Sequence, residues 1–325
     1  MKPRVLVTRK ISDRPINLLR EKAELSINRK DRAMTPEEIT GELPGKVAML
    51  SMPDDRLSTQ IFAAGKDLKI VANYGVGFNN IDLAAATRQK IAVTNTPDVL
   101  TDTTADLTFA LILGVARRIA ECDRFVRAGK WVCWKPELML GSDVHGKNLG
   151  IVGLGRIGQA VAQRAKGFNM QILYTDVRRA DPAVEKRNQA RFLSLPELLE
   201  ESDFVSLHVP LMKETTHFMG REELQKMKRS AFLINASRGA VVDEKALVEA
   251  LRQGRIAGAG LDVFEEEPRV SPELLTMENV LLAPHIGSAT SETREKMTQV
   301  AVDNILAVLR GEIPPNILNP EVYQR

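Results

Sequence analysis

The chain has 325 residues, 44% of them apolar, with 45 basic and 42 acidic side chains and a formal net charge of +3. The near-balance excludes a general nucleic-acid binder and a solvating acidic tail, and at about 150 residues per domain the length predicts two domains. Two cysteines, Cys122 and Cys133, make neither a disulfide framework nor a four-ligand metal cluster, so a reducing, cytoplasmic setting without a metal is expected.

In chain order, the first ten residues lack the apolar core of a signal peptide. Within them Val5-Leu6-Val7 opens a series of four predicted parallel strands, with Val47-Ala48-Met49-Leu50, Ile70-Val71-Ala72 and Ile91-Ala92-Val93. Thr35-Pro36-Glu37-Glu38 is a capping box with proline at the first helical position. Asn95-Thr96-Pro97-Asp98 breaks the pattern, and a long helix is predicted from Thr101-Asp102 to Arg127. Its greasy stretch, 107–116, is ten residues long, about half of the ~20 needed to span a bilayer, so no membrane contact is expected.

Six further strands are predicted at 149–152, 172–174, 204–207, 232–234, 260–263 and 280–282. Ser194-Leu195-Pro196-Glu197 caps one intervening helix, and Asp243 caps another that stops at Gly254. A last helix, Ser291 to Leu309, sets Met297, Val300, Ala301, Ile305 and Val308 on one face. That face needs a sheet, and the first four strands lack helical cover, so the chain is expected to return to them. Two blocks of strand–helix alternation predict an α/β protein with two doubly wound parallel sheets. The expected domains are residues 1–98 with 289–325, and 99–288 inserted between them.

Gly153-Leu154-Gly155-Arg156-Ile157-Gly158 follows one strand directly and opens a helix. The first glycine allows the tight turn, the second lets a pyrophosphate approach the backbone, and the third lets strand and helix pack closely. The helix N-terminus offers unpaired N–H groups to the phosphates. Asp176 ends the next strand, 18 residues after Gly158, where a carboxylate accepts from ribose hydroxyls. These features predict a Rossmann-type dinucleotide site. A carboxylate repels a 2′-phosphate, so NAD(H) is favoured; Arg178 and Arg179 could offset that repulsion and keep NADP(H) open.

Hydride transfer to a keto acid needs a cation for the carboxylate and ketone, an acid for the developing alkoxide, and a group that keeps the acid charged. Arg238 in Asn235-Ala236-Ser237-Arg238-Gly239, Glu267 before Pro268, and His285 after Pro284 supply these types near strand ends. A Glu–His pair favours the imidazolium, and arginine binds a carboxylate bidentately where lysine does not. Singly, each also reads as a structural or surface group.

With these motifs, and with Gly260-Leu261-Asp262-Val263 and Pro284-His285-Ile286-Gly287-Ser288-Ala289-Thr290, nearly the whole chain resembles the D-isomer-specific 2-hydroxyacid dehydrogenase family. It is most similar to the glyoxylate/hydroxypyruvate reductase branch. The resemblance implies NAD(P)H-dependent reduction of a small 2-keto acid to the D-2-hydroxy acid, with Arg238, Glu267 and His285 as the catalytic set and His285 as proton donor. It implies a Rossmann cofactor domain inserted into a flavodoxin-like substrate domain. Cofactor contacts are implied at Gly153, Gly155, Arg156, Ile157, Gly158 and Asp176, and at His208, Val209, Pro210 and Thr215. Thr104, Ala236, Ser237, Arg238, Asp262, His285, Gly287 and Ser288 complete them, Asp262 facing the nicotinamide carboxamide. Substrate contacts are implied at Val76 and Gly77 in Asn73-Tyr74-Gly75-Val76-Gly77, at Ser51 and Met52, and at Arg238 and His285. Trp134, in Trp131-Val132-Cys133-Trp134-Lys135-Pro136, matches a tryptophan that a partner subunit contributes, which implies a homodimer.

Two other readings stay open on the sequence. One is an NAD(H)-sensing binding protein on the same scaffold, like the C-terminal binding protein corepressors, although the chain ends sixteen residues past the last predicted helix. The other is a dehydrogenase of a different substrate. Phosphite dehydrogenase keeps the glutamate and histidine, formate dehydrogenase replaces the glutamate by glutamine, and phosphoglycerate dehydrogenase more often carries a C-terminal extension.

Overall fold

The computed structural model describes residues 2–11 and 13–324. By its contacts the chain divides into two units, Met1–Leu100 with Ser288–Arg325, and Thr101–Gly287. Each unit is a parallel sheet whose inner strands are buried along most of their length, as sheets covered on both faces require.

The first unit runs β1 (Arg4–Val7), α1 (Asp13–Lys22), β2 (Glu24–Ile27), α2 (Pro36–Glu42), β3 (Ala48–Ser51), α3 (Thr59–Ala64), β4 (Ile70–Asn73), α4 (Leu83–Arg88) and β5 (Ala92–Thr94). Its strand order is β2-β1-β3-β4-β5, all pairs parallel, the flavodoxin-like order. The sheet therefore has five strands where the sequence predicts four. β2 escapes because Glu-Leu-Ser-Ile at a sheet edge is nowhere fully buried and shows no apolar run. Thr35 caps α2 with a full box: its hydroxyl accepts from the Glu38 N–H, and the Glu38 side chain accepts from the Thr35 N–H. Beyond the other edge, the Leu318 N–H donates to Val93 O at 2.8 Å, the Asn95 N–H to Asn316 O at 3.3 Å, and Asn319 takes the Val93 N–H at 2.8 Å.

The second unit begins with α5 (Thr101–Ala116) and α6 (Ile119–Arg127). It continues β6 (Asn148–Val152), α7 (Arg156–Lys166), β7 (Gln171–Thr175), α8 (Pro182–Asn188), β8 (Ala190–Phe192), α9 (Leu195–Glu201), β9 (Phe204–Leu207), α10 (Arg221–Lys226), β10 (Phe232–Asn235), α11 (Glu244–Arg252), β11 (Gly258–Leu261) and β12 (Val280–Leu282). The order is β12-β11-β10-β9-β6-β7-β8. The sequence reading lacks β8, a three-residue edge strand, and runs β11 to Val263 where it ends at Leu261. The single long helix predicted to Arg127 is two. The Ala116 carbonyl accepts from the Ser142 N–H at 2.8 Å instead of continuing the helical ladder, and Arg118 turns to φ +54°. The chain then returns to the first unit as α12 (Ser291–Leu309), whose buried residues include Met297, Ala301, Ile305 and Val308 and which packs on β4 and α1. Val300 is only half-buried. Among the described residues no helix is long and apolar enough to cross a membrane, and no group of three or more His, Cys, Asp or Glu is placed to hold a metal ion.

Candidate active site

In the second unit strand order reverses between β6 and β9, and ligands of open α/β sheets bind beyond the carboxyl ends of strands at such a switch. The glycine turn leaves β6 there. Gly153 has φ +95°, a conformation that side chains oppose, and a Cβ on it would stand 2.8 Å from His208 O, just past β9. A Cβ on Gly158 would meet Gly153 O at 2.2 Å, so strand exit and helix entry touch through backbone alone. A Cβ on Gly155 meets nothing within 4 Å. Gly155 and Arg156 are exposed at the start of α7, with Ile157 half-buried. The exposed, open turn at an eleven-residue helix's N-terminus has the shape and polarity that a pyrophosphate requires.

The Asp176 carboxylate lies over this turn. It accepts the Leu154 N–H at 2.9 Å and the Val177 N–H at 2.8 Å. Arg179 is committed to Glu185 by a forked pair at 2.8 and 3.0 Å, while Arg178 is exposed. Beyond β9, Nε2 of His208 pairs with Ser206 Oγ at 2.8 Å, and burial pushes this imidazole down to about 4. Thr215 knots the following loop, donating to Pro210 O at 2.6 Å and accepting the Met212 N–H at 2.8 Å. Val209 and Pro210 lie in that loop.

Arg238, Glu267 and His285 leave the carboxyl ends of β10, β11 and β12 in turn. Asn235 builds the first turn: its Oδ1 accepts the Ser237 N–H at 3.0 Å, and its Nδ2 donates to Arg238 O at 2.9 Å. Ala236 and Ser237 are half-buried within it. Arg238 donates to Ser237 O at 2.6 Å. Burial lowers the Arg238 pKa, and the Glu267 charge works against that shift. Glu267 accepts the Phe264 N–H at 3.1 Å with one oxygen and pairs with Nδ1 of His285 at 2.8 Å with the other. Burial pushes the Glu267 carboxyl up, but the His285 hydrogen bond and charge, the Phe264 N–H and Arg238 bring it below its ordinary value.

His285 sits at φ +53°, a conformation that costs a residue with a Cβ on the order of 1–2 kcal/mol. Asp262 over-determines it. The Asp262 carbonyl accepts the His285 N–H at 2.8 Å, and its buried carboxylate accepts the Ile286 and Gly287 N–H groups at 2.7 and 2.8 Å. Burial raises this carboxyl against those bonds. Beside it, a Cβ on Gly287 would stand 3.5 Å from the buried Thr104 side chain. With its Nδ1 on Glu267, His285 has Nε2 left for a reacting oxygen.

In the first unit Ser51 ends β3, and Met52 is held by its N–H on Asp55 at 2.7 Å and its carbonyl on Asn80 Nδ2 at 3.2 Å. After β4 every carbonyl of the Gly75-Val76-Gly77 turn is tethered. Gly75 O accepts from Thr96 N at 3.0 Å, Val76 O from Asn95 Nδ2 at 2.9 Å, and Gly77 O from Asn73 Nδ2 at 2.8 Å. In a trans peptide the N–H points opposite to the C=O, so the Val76 and Gly77 N–H groups point away from these tethers, as an anion-accepting nest does. Ser288 begins the return to this unit. Trp134 is 78% exposed, and Trp131 and Val132 are exposed beside it. The two asparagine tethers and Asp55 hold these loops but are not among the residues singled out from sequence; an Asn closing β4 ahead of a glycine turn is their one visible signal.

The sequence profile of the D-isomer specific 2-hydroxyacid dehydrogenase NAD binding domain matches residues 109–287. A glyoxylate reductase of Korarchaeum cryptofilum is 53% identical over 328 residues, covering 100% of this chain and 98% of that protein. One of Pyrococcus furiosus is 50% identical, covering 100% and 97%. Among solved structures, a Thermus thermophilus protein superposes with a TM-score of 0.91 at 47% identity, covering 97% of this chain and 99% of that one. An NADPH-dependent glyoxylate/hydroxypyruvate reductase of Sinorhizobium meliloti, in complex with NADP and malonate, does so with 0.89 at 33%, covering 100% and 99%. The chain belongs to the D-isomer-specific 2-hydroxyacid dehydrogenase family and is similar along its whole length to that family's glyoxylate reductases.

Proposed function

We propose that this protein reduces a small 2-keto acid of the glyoxylate or hydroxypyruvate type to the D-2-hydroxy acid, or to glycolate from glyoxylate. The observation that carries the reading is the Glu267–His285 pair at 2.8 Å with the half-buried Arg238 acting on the same carboxylate. A nicotinamide dinucleotide, when bound, supplies the hydride that adds to the keto carbon. Gly153 to Gly158 and the α7 N-terminus would hold its pyrophosphate, and Asp176 its ribose. Arg238 binds the substrate carboxylate and polarises the ketone. His285 Nε2 gives its proton to the keto oxygen as negative charge develops there, and Glu267 holds the imidazole orientation through Nδ1. In the reverse direction the same nitrogen takes the hydroxyl proton back. The N–H groups of Val76 and Gly77 donate to a carboxylate, next to Ser51 and Met52.

NAD(H) is the proposed cofactor in preference to NADP(H). A 2′-phosphate would meet the Asp176 charge, and Arg179 is already paired with Glu185. A homodimer is proposed as the assembly, with Trp134 presented to the partner. The exposed apolar residues between Ile119 and Leu140 support it. The test is a panel of glyoxylate, hydroxypyruvate and pyruvate assayed with NADH and with NADPH, and phosphite with NAD. Rapid NADH oxidation by glyoxylate is expected. Turnover of phosphite alone, or of no acid in the panel, would overturn the reading.

A further inference from the structure

The segment that carries Glu267 leaves β11 at Asp262 and belongs to neither helix nor strand until Leu274. Something other than regular secondary structure must therefore hold the Glu267 carboxylate on His285. Two glutamates do this reciprocally. Glu244, the first residue of α11, accepts the Glu265 N–H with Oε2 at 3.0 Å. With Oε1 it accepts the Ser271 N–H at 3.0 Å and the Ser271 hydroxyl at 2.5 Å. Glu265 in turn accepts the Glu244 N–H with Oε2 at 3.1 Å, and its Oε1 pairs with His217 Nε2 at 2.7 Å. Glu267 lies between the two points that Glu244 grips.

An acid at the start of a helix ordinarily serves its own helix's unpaired N–H groups. Both oxygens of Glu244 leave the helix instead and take three donors from the Glu267 segment, in charge-assisted hydrogen bonds of the stronger kind. The same segment presses on the Arg238 turn, since a Cβ on Gly239 would stand 1.8 Å from Phe264 O.

We propose that Glu244 is a positioning residue for the reaction. By clamping the chain at Glu265 and Ser271, it holds Glu267 on Nδ1 of His285. The proposal rests on the reading of Glu267 and His285 as the proton-handling pair. A displacement of the order of 1 Å in such a group costs about 100-fold in rate, so a clamp remote from the reacting atoms has a measurable effect.

The test compares Glu244→Ala, Glu244→Gln and Glu267→Gln by kcat and KM for glyoxylate, by NADH titration, and by kcat/KM profiles from about pH 3 to 9. Glu244→Ala is expected to lower kcat by about 10- to 100-fold and to leave NADH affinity within about twofold. The acid limb of its profile should move to higher pH, because a Glu267 freed from His285 titrates closer to an ordinary carboxylate. The other charges facing the pair, Arg238 and Asp262, are the same in wild type and variant. Glu244→Gln keeps the side chain's volume and is expected to lose less rate, with a limb shift in the same direction; it decides the matter if Glu244→Ala does not fold. An unmoved acid limb in the folded variants, whatever their stability, overturns the positioning role. If Glu267→Gln itself keeps wild-type turnover and profile, the underlying reading falls and the proposal with it.

Discussion

Oε2 of Glu267 stands 2.8 Å from Nδ1 of His285, and that imidazole reaches its place through a backbone turn that Asp262 holds at φ +53°. The orientation of the ring is thus set twice, from the side chain and from the main chain. His285→Ala should lower kcat by about 100- to 10,000-fold, the range of general acid catalysis, with NADH affinity retained in a fluorescence titration. The Glu267 carboxyl lies below its ordinary 4.5 in the folded protein. Its contribution is therefore complete above that value and is lost as pH falls through the folded one. The wild-type kcat/KM profile should lose rate to Glu267 protonation only below about pH 4.5.

The two glycines of the α7 turn should fail in different ways. A Cβ on Gly158 collides with the Gly153 carbonyl, whereas a Cβ on Gly155 meets no protein atom within 4 Å. Gly158→Ala should lose about 1–3 kcal/mol of stability, seen as a lower Tm without cofactor. Gly155→Ala should keep the wild-type Tm and weaken NADH binding. Equal melting temperatures for the two variants would contradict this division.

Asn95→Ala removes the donor that turns the Val76 carbonyl inward. The peptide can then rotate, and its Gly77 N–H no longer points one way. KM for glyoxylate should rise about tenfold, one charge-assisted hydrogen bond, with NADH affinity unchanged. A rise in the NADH dissociation constant instead of KM would place Asn95 elsewhere in the chemistry.

His208 supplies a pH dependence of stability. Its folded value, about 4, lies below the ordinary 6.5, so the unfolded chain takes up the proton first. Stability then falls as pH drops from 6.5 toward 4, by up to about 3 kcal/mol. His208→Gln keeps a polar partner for Ser206 and cannot charge. In urea unfolding at pH 7 and pH 4.5, the variant should lose less stability on acidification than wild type.

The features legible in the sequence are those that backbone conformation or a strand end dictates locally. Gly153 adopts a positive φ at a strand-to-helix turn, Thr35 and Glu38 close a box four residues long, and Arg238 and His285 follow short apolar runs whose spacing between helical segments reads as strand. The illegible ones depend on groups brought together by the fold. β2 and β8 lie at sheet edges, where one neighbour suffices and no apolar run is needed. The helix break at Arg118 needs the Ser142 N–H, 24 residues on from it. Glu244 and Glu265, 21 residues apart, look in sequence like a helix-start acid and one of three loop glutamates. Asn73 and Asn95 are ordinary polar residues until β4 and β5 pair.

The stretch Asn316–Asn319 lies along β5 and takes up its outward-facing main-chain groups. The small sheet consequently offers no open template on that flank. A stray strand from another molecule finds its hydrogen-bonding positions already filled, which guards a rim rich in β-branched residues against fibril-like stacking.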